Sequence, residues 1–314
     1  VLRLVLPLVL PLVFAACSGS SAPEPVNDDG GAAVVATSSG AANAVASNAP
    51  APWPVNVPRA DTLPADASGR QIRRGLALLT NTRDSIPAHV GNALRCVSCH
   101  LDDGRRANAL PWVGVLARFP QYRTRNAVIN QIEDRVNDCL ERSLAGRPLP
   151  RDSEQMRAIV AYFEFLSRGV PYGRKVVGQG APAVRAEVAS LANGETVYAT
   201  SCVRCHGVAG EGTSLAPPLW GAQSYNNGAG MGRPRTAAAF IHANMPLDAP
   251  NLSAQQALDV ATFINAQPRP VFARASADWP FGGAPVDVPY ATAGRSAPVS
   301  VPARTKSPDS ANRE

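Results

Sequence analysis

Apolar positions along the chain fall into a few blocks separated by long stretches with no pattern. Leu4 to Phe14 is a near-continuous apolar run broken by Pro7 and Pro11. It is too short to cross a bilayer as a helix, and with Arg3 before it and Ala15-Ala16-Cys17 after it, residues 1–17 read as an export signal. Residues 18–65 are Ala, Ser, Gly, Pro and Asn with no helical or strand period, which predicts a disordered linker. Helical periodicity begins at Gly69 to Leu79. It continues in Val128 to Leu144, a predicted helix ended near Gly146, and in a helix N-capped by Ser153 that aligns Met156, Ile159, Val160, Phe163 and Leu166. Further on, Asn193 to Tyr198 predicts a short helix, and Ser253 caps another carrying Leu258, Ala261, Phe263 and Ile264. From Pro268 the pattern fades, although Asp278-Trp279-Pro280 and Val288-Pro289-Tyr290 predict that the first half of this tail wraps a domain surface.

At 314 residues two modest domains are expected. Aromatics make up only 6% against 29 Pro and 25 Gly, which argues against one large core. The net charge of +6 comes without a Lys/Arg-rich run or an aromatic-interleaved basic stripe, so no nucleic-acid partner is expected. Six Cys, four His and three Met leave few residues for ligand chemistry, and their spacing is informative.

Four of the cysteines lie in Cys96-Val97-Ser98-Cys99-His100 and Cys202-Val203-Arg204-Cys205-His206. Such a run supplies two thiols spaced for thioether bonds to the haem vinyl groups and an adjacent His as proximal iron ligand. A thioredoxin-like redox pair would not need the trailing His, and a zinc site would need more ligands than either segment offers. Two covalently bound haem c groups are expected. The surroundings repeat as well: Pro111-Trp112-Val113-Gly114 follows the first motif and Pro218-Leu219-Trp220-Gly221 the second. A helix before each motif, a capped helix at the end and little or no strand resemble the class I cytochrome c fold. The prediction is therefore an all-α protein with two class I cytochrome c-like domains in tandem, at 66–178 and 186–270, followed by a partly disordered extension at 271–314.

Cys139 lies 39 residues after His100, and Met245 lies 39 residues after His206. In class I cytochromes that position carries the sixth iron ligand, which assigns Cys139 to haem 1 and Met245 to haem 2, alongside His100 and His206. Met231 and His242 are rivals of Met245, while His89 and Met156 read as loop and core. A lone cysteine is ordinarily a small buried hydrophobe. A retained thiol in an exported chain is nevertheless unusual. Thiolate ligation lowers a haem potential and Met ligation raises it, so the pair would give electrons a direction. Phe14-Ala15-Ala16-Cys17 resembles a bacterial lipobox, which implies a lipid on Cys17 and a membrane anchor; the alternative is ordinary cleavage to a soluble protein. Either way the compartment is periplasmic and oxidising. No cysteine pair is left for a disulfide.

Arg125 to Pro150, with the capped helix after it, resembles the thiosulfate dehydrogenases, dihaem c enzymes whose Cys/His-ligated haem is the active site. The resemblance continues through Trp220-Gly221, Ser224-Tyr225-Asn226-Asn227 and Asn244-Met245-Pro246 to Asp278-Trp279-Pro280. It implies that two thiosulfates are oxidised to tetrathionate, with electrons passing by haem 1 and haem 2 to a soluble or membrane-bound cytochrome or other periplasmic acceptor. It places catalytic roles on Arg125, Arg135, Cys139 and Ser143. Some family members exchange a Lys with the haem 2 Met as ligand; Asn244 occupies that place here, so stable His206/Met245 ligation is expected.

The residues support a site independently of the resemblance. On one helix Arg135, Cys139 and Ser143 are successive i, i+4 neighbours, which sets a planar cationic donor and a hydroxyl beside the sulfur. Any one of these arginines alone would read as a solvated helix residue. Residues 66–175 hold 18 Lys/Arg against 11 Asp/Glu, a balance of +7, whereas 186–270 hold 4 against 5, a balance of −1. The positive field thus belongs to the Cys139 unit and would attract a dianion. The competing expectation is a dihaem electron carrier without a substrate of its own.

Overall fold

The computed structural model describes residues 56–296, apart from 187. From the N-terminus, α1 (Ala67–Thr80), a hairpin of β1 (Gln121–Arg123) and β2 (Val128–Asn130), α2 (Ile132–Arg142) and α3 (Glu154–Leu166) form the first unit. The second unit contains α4 (Leu191–Ser201), α5 (Pro234–Asn244) and α6 (Ala254–Ala266). The signal sequence with Cys17, most of the proposed linker and the end of the C-terminal extension lie outside the described residues. Among the described residues, no helix is long and apolar enough to cross a membrane.

Each unit is built on one pair of crossing helices. Asp66 caps α1 by accepting from the Gly69 amide at 2.9 Å, and the helix buries Ile72, Gly75, Leu78 and Leu79 against α3. Ser153 caps α3 in the same way, accepting from the Met156 amide at 3.1 Å. In the second unit Ser190 caps α4 and Ser253 caps α6, the latter in a reciprocal capping box with Gln256. The backbones meet closely at both crossings. A Cβ on Gly75 would stand 2.0 Å from the Ala158 carbonyl oxygen, and one on Gly194 would stand 2.2 Å from that of Asp259. Only glycine permits these approaches, and their equivalence shows the repeat in three dimensions. Met156 is fully buried in the first core, as its helical spacing predicts.

The structure differs from the sequence reading before α2. Val128 and Ile129 do not open the helix but pair antiparallel with Arg123 and Tyr122. Both are largely exposed, so they have no place on a buried helical stripe. The helix starts where Gln131 and Asp134 form a capping box, the Gln131 amide donating to Asp134 Oδ2 at 2.8 Å. The hairpin is the only sheet among the described residues, and the fold is all-α otherwise.

The two units are joined by more than their linker. Tyr225 and Ala229, from the second unit's sequence, are buried in the core of the first, and Met231 packs against both cores. Main-chain atoms make much of the junction. The Ala93 amide donates to Gln223 O and the Asn226 amide to Arg142 O, while the Asn92 side chain donates to Ser143 O at 2.9 Å and Ser224 O at 3.0 Å. The extension after α6 wraps the first unit, as its aromatic residues predict. Trp279 is 1% exposed and donates its amide to Arg125 O.

Candidate active site

The two Cys-x-x-Cys-His segments adopt a geometry that suits covalent haem. His100 Nδ1 lies 2.5 Å from Leu110 O and His206 Nδ1 lies 2.8 Å from Pro217 O. A carbonyl only accepts, so each Nδ1 carries the proton and each Nε2 keeps its lone pair for iron. Burial pushes the His100 imidazole down to about 4, with the Arg135 charge contributing, and it also lowers His206. Both rings are therefore neutral, the form that ligates. None of the five described cysteines is in a disulfide, which leaves Cys96, Cys99, Cys202 and Cys205 available for thioethers. Burial holds Cys96 and Cys99 protonated, up to about 12, and the nearby Cys139 sulfur adds to the shift at both. The donor set fits two haem c groups, and Cys139 and Arg135 act electrostatically on the first of these sites.

Helix α2 presents Cys139. Its buried stripe is Ile132, Val136 and Leu140, each four residues apart, and Arg135, Cys139 and Ser143 form the neighbouring, half-buried stripe. Arg135 Nη1 donates to Cys139 Sγ at 2.8 Å. Ser143 caps the C-terminal end of the helix, and its carbonyl is held by Asn92. The chain turns back at Ala145, and the Gly146 amide donates to Leu140 O at 2.8 Å, so the predicted end near Gly146 is close.

Arg125, on the turn between β1 and β2, is buried and held by a group the sequence does not reveal. Its Nε donates to Asp278 Oδ2 at 3.0 Å, and its Nη2 donates to Gly228 O and Tyr290 Oη at 2.6 and 2.7 Å. Arg142, at the end of α2, takes the same carboxylate in a bidentate pair at 2.8 and 3.0 Å. The neighbouring Asn126 donates to Asp138, the residue before Cys139, at 3.1 Å. Arg125 thus joins the Cys139 helix through a shared acid and an adjacent amide. Asp278, Tyr290 and Arg142 were not among the sequence-derived site residues. The aromatic clusters around Asp278 and the resemblance that reaches Asp278-Trp279-Pro280 were the signals, and neither carries information about a salt bridge 153 positions away.

In the second unit, Met245 follows α5 directly and packs with Cys202, Trp220 and Phe263 against the same core. Of its rivals, His242 is tied through Nδ1 to Leu252 O at 2.8 Å, and Met231 lies at the junction of the two cores. Asn244, just before Met245, is 1% exposed and donates to Phe240 O and, across the junction, to Asn108 O, both at 3.0 Å. His89 is tied to the carbonyls of Arg147 and Pro148 on the loop after α2.

Comparison with known proteins agrees with this arrangement. Residues 88–172 match the family model "SoxA/TsdA, cytochrome c domain", and residues 191–267 match "Cytochrome c". The chain is 40% identical over 242 residues to a thiosulfate dehydrogenase of Psychrobacter arcticus, covering 74% of each. It is 44% identical over 236 residues to that of Allochromatium vinosum, covering 71% of this chain and 87% of the relative. A solved thiosulfate dehydrogenase of Marichromatium purpuratum superposes with a TM-score of 0.66 at 38% identity, covering 69% of this chain and 50% of that one. This chain therefore spans half the length of that protein. With two cytochrome c domains, two haem c sites and a cysteine on the first site's helix, the chain belongs to the thiosulfate dehydrogenase family.

Proposed function

We propose that the chain oxidises thiosulfate at the Cys139 face of α2. Two thiosulfate dianions join through their outer sulfurs into one tetrathionate dianion, releasing two electrons and no proton. Those electrons leave by the second unit to a cytochrome or other periplasmic acceptor. The haems, when bound, supply the one-electron acceptors. Cys139 with His100 would hold the first haem iron, and Met245 with His206 the second. Arg135 offers a planar N–H fork to sulfonate oxygens and Ser143 adds a hydroxyl donor one turn on. Arg125 supplies a second cation to hold the other anion. Two dianions must approach each other for a sulfur–sulfur bond to form, and fixed cations in the most positive part of the molecule offset that repulsion. A lipid on Cys17 would keep the protein at a membrane facing the periplasm.

The observation that carries this reading is the 2.8 Å contact of Arg135 with Cys139 Sγ, which sets a cation and a ligand sulfur side by side. A carrier that only passes electrons would have no use for a guanidinium at that place. The test is to give purified holoprotein thiosulfate and an artificial electron acceptor and to measure tetrathionate. Turnover that vanishes in Cys139→Ala supports the enzyme. Equal background rates in both proteins would leave the electron carrier as the function.

A further inference from the structure

The segment after α6 wraps the first unit, and its polar residues converge on Arg125 and Arg142. Asp278 is 2% exposed and takes both Arg125 and Arg142. Tyr290 donates to Asp278 Oδ2 and accepts from Arg125 Nη2, so its hydroxyl bonds have a fixed polarity. The Trp279 ring lies 4.7 Å from the Arg125 guanidinium carbon, and the Phe272 ring lies 4.2 Å from that of Arg142. Each guanidinium is thus held in its plane by the carboxylate and against its face by an aromatic ring from the same segment. Arg142 is three residues beyond Cys139 and next to Ser143, and Arg125 O is tied to the Trp279 amide.

We propose that Asp278 and Tyr290 are positioning residues for the reaction: one buried carboxylate and one hydroxyl fix Arg125 and the Cys139 helix relative to each other. Stability alone does not explain the arrangement, because apolar side chains could fasten a strap at lower desolvation cost than two cations on one acid. Arg125 and Arg142 share Asp278, and Asp138 lies 3.8 Å from Arg142, so what the arrangement adds beside Cys139 is loss of freedom in the groups that carry the charge. A flexible arginine would lose that freedom on binding each anion, whereas a locked one has lost it already. The inference rests on the proposed thiosulfate reaction for the role of Arg125. Its effect on Cys139 acts through Arg142 and does not depend on that role.

Tyr290→Phe keeps the ion pairs and removes only the hydroxyl bonds. Loss of a hydrogen bond to a charged group should raise KM for thiosulfate by about tenfold, with a smaller change in kcat. Asp278→Asn should do the same more strongly. It should also alter the ferric electron paramagnetic resonance signature of the thiolate-ligated haem, because α2 loses its anchor at Arg142. Val288→Ala is the control: Val288 is 1% exposed in the same segment and makes none of these polar contacts. It should lower thermal stability while leaving KM and the spectrum at the wild-type values. If Tyr290→Phe matches Val288→Ala in KM, and Asp278→Asn leaves the spectrum unmoved, the positioning role is overturned. Should Asp278→Asn fail to fold, Tyr290→Phe against Val288→Ala decides alone. Arg125→Lys separates the two readings: unchanged KM in that variant removes Arg125 from substrate binding, whereas a raised KM there with normal Tyr290→Phe kinetics defeats only the positioning role.

Discussion

The two cytochrome units share a frame and differ in what surrounds it. Both cross an N-terminal and a C-terminal helix at a glycine, both tie the motif histidine through Nδ1 to a backbone carbonyl, and both pack a tryptophan on an aromatic ring, Trp112 on His100 and Trp220 on Tyr198. In the second unit the helix before Met245 runs from Pro234 to Asn244 and buries a run of apolar residues, Ala237 to Ile241. In the first unit the corresponding stretch is a hairpin followed by a short charged helix, with Arg125, Arg135, Asp138 and Arg142 on or beside it. The same scaffold thus offers an apolar surround for a thioether and a polar, cationic one for a thiol. The shared frame supports haem attachment in both units, while the connection between motif and last helix is where they differ, carrying Cys139 among charged residues in one and Met245 after an apolar helix in the other.

The sharpest break of this comparison is at Cys139. Cys139→Ala should lower tetrathionate formation by more than about 100-fold, beyond what a residue outside the ligand shell costs, while the second unit's reduced spectrum stays unchanged. Next comes Arg135. Arg135→Ala should cost about 2–3 kcal/mol in kcat/KM, or roughly 30- to 160-fold, and Arg135→Lys should recover only part because the fork is lost. The frame itself is tested by Gly75→Ala and Gly194→Ala, each expected to lose about 1–3 kcal/mol of stability in denaturant titrations, since the added methyl meets backbone that cannot yield. Ser143→Ala should be milder, at most about tenfold in kcat/KM. The smallest effect is electrostatic. Raising salt from about 0.01 to 0.15 M shortens the screening length from about 30 to 8 Å and should lower kcat/KM for thiosulfate by less than about tenfold, through the charge of the first unit.

Much of this contrast was readable in the residues. The paired Cys-x-x-Cys-His runs, the Ser153 and Ser253 caps and the equal offsets to Cys139 and Met245 are local signals, and the helices, caps and repeat follow them. The start of α2 was misplaced because Val128 and Ile129 extend an apolar pattern forward by two residues. A strand of three residues leaves no alternation long enough to oppose that reading. Asp278 was hidden for a different reason. A single acid in a Pro-rich tail has no periodicity at all, and its partners Arg125 and Arg142 sit 153 and 136 residues earlier. Chain topology brings them together, and a pattern along the chain does not record it.

The junction between the units has a kinetic meaning as well. Electron tunnelling falls exponentially with distance, so a hinge between two redox centres would make their exchange rate fluctuate with every opening. Here backbone bonds from Ala93 to Gln223 and from Asn226 to Arg142, with Tyr225 sunk into the neighbouring core, hold the units at one spacing. Side-chain substitutions leave main-chain partners in place. The spacing that times the transfer is therefore insulated from sequence drift, and each unit is free to change its own ligand without altering the interval between them.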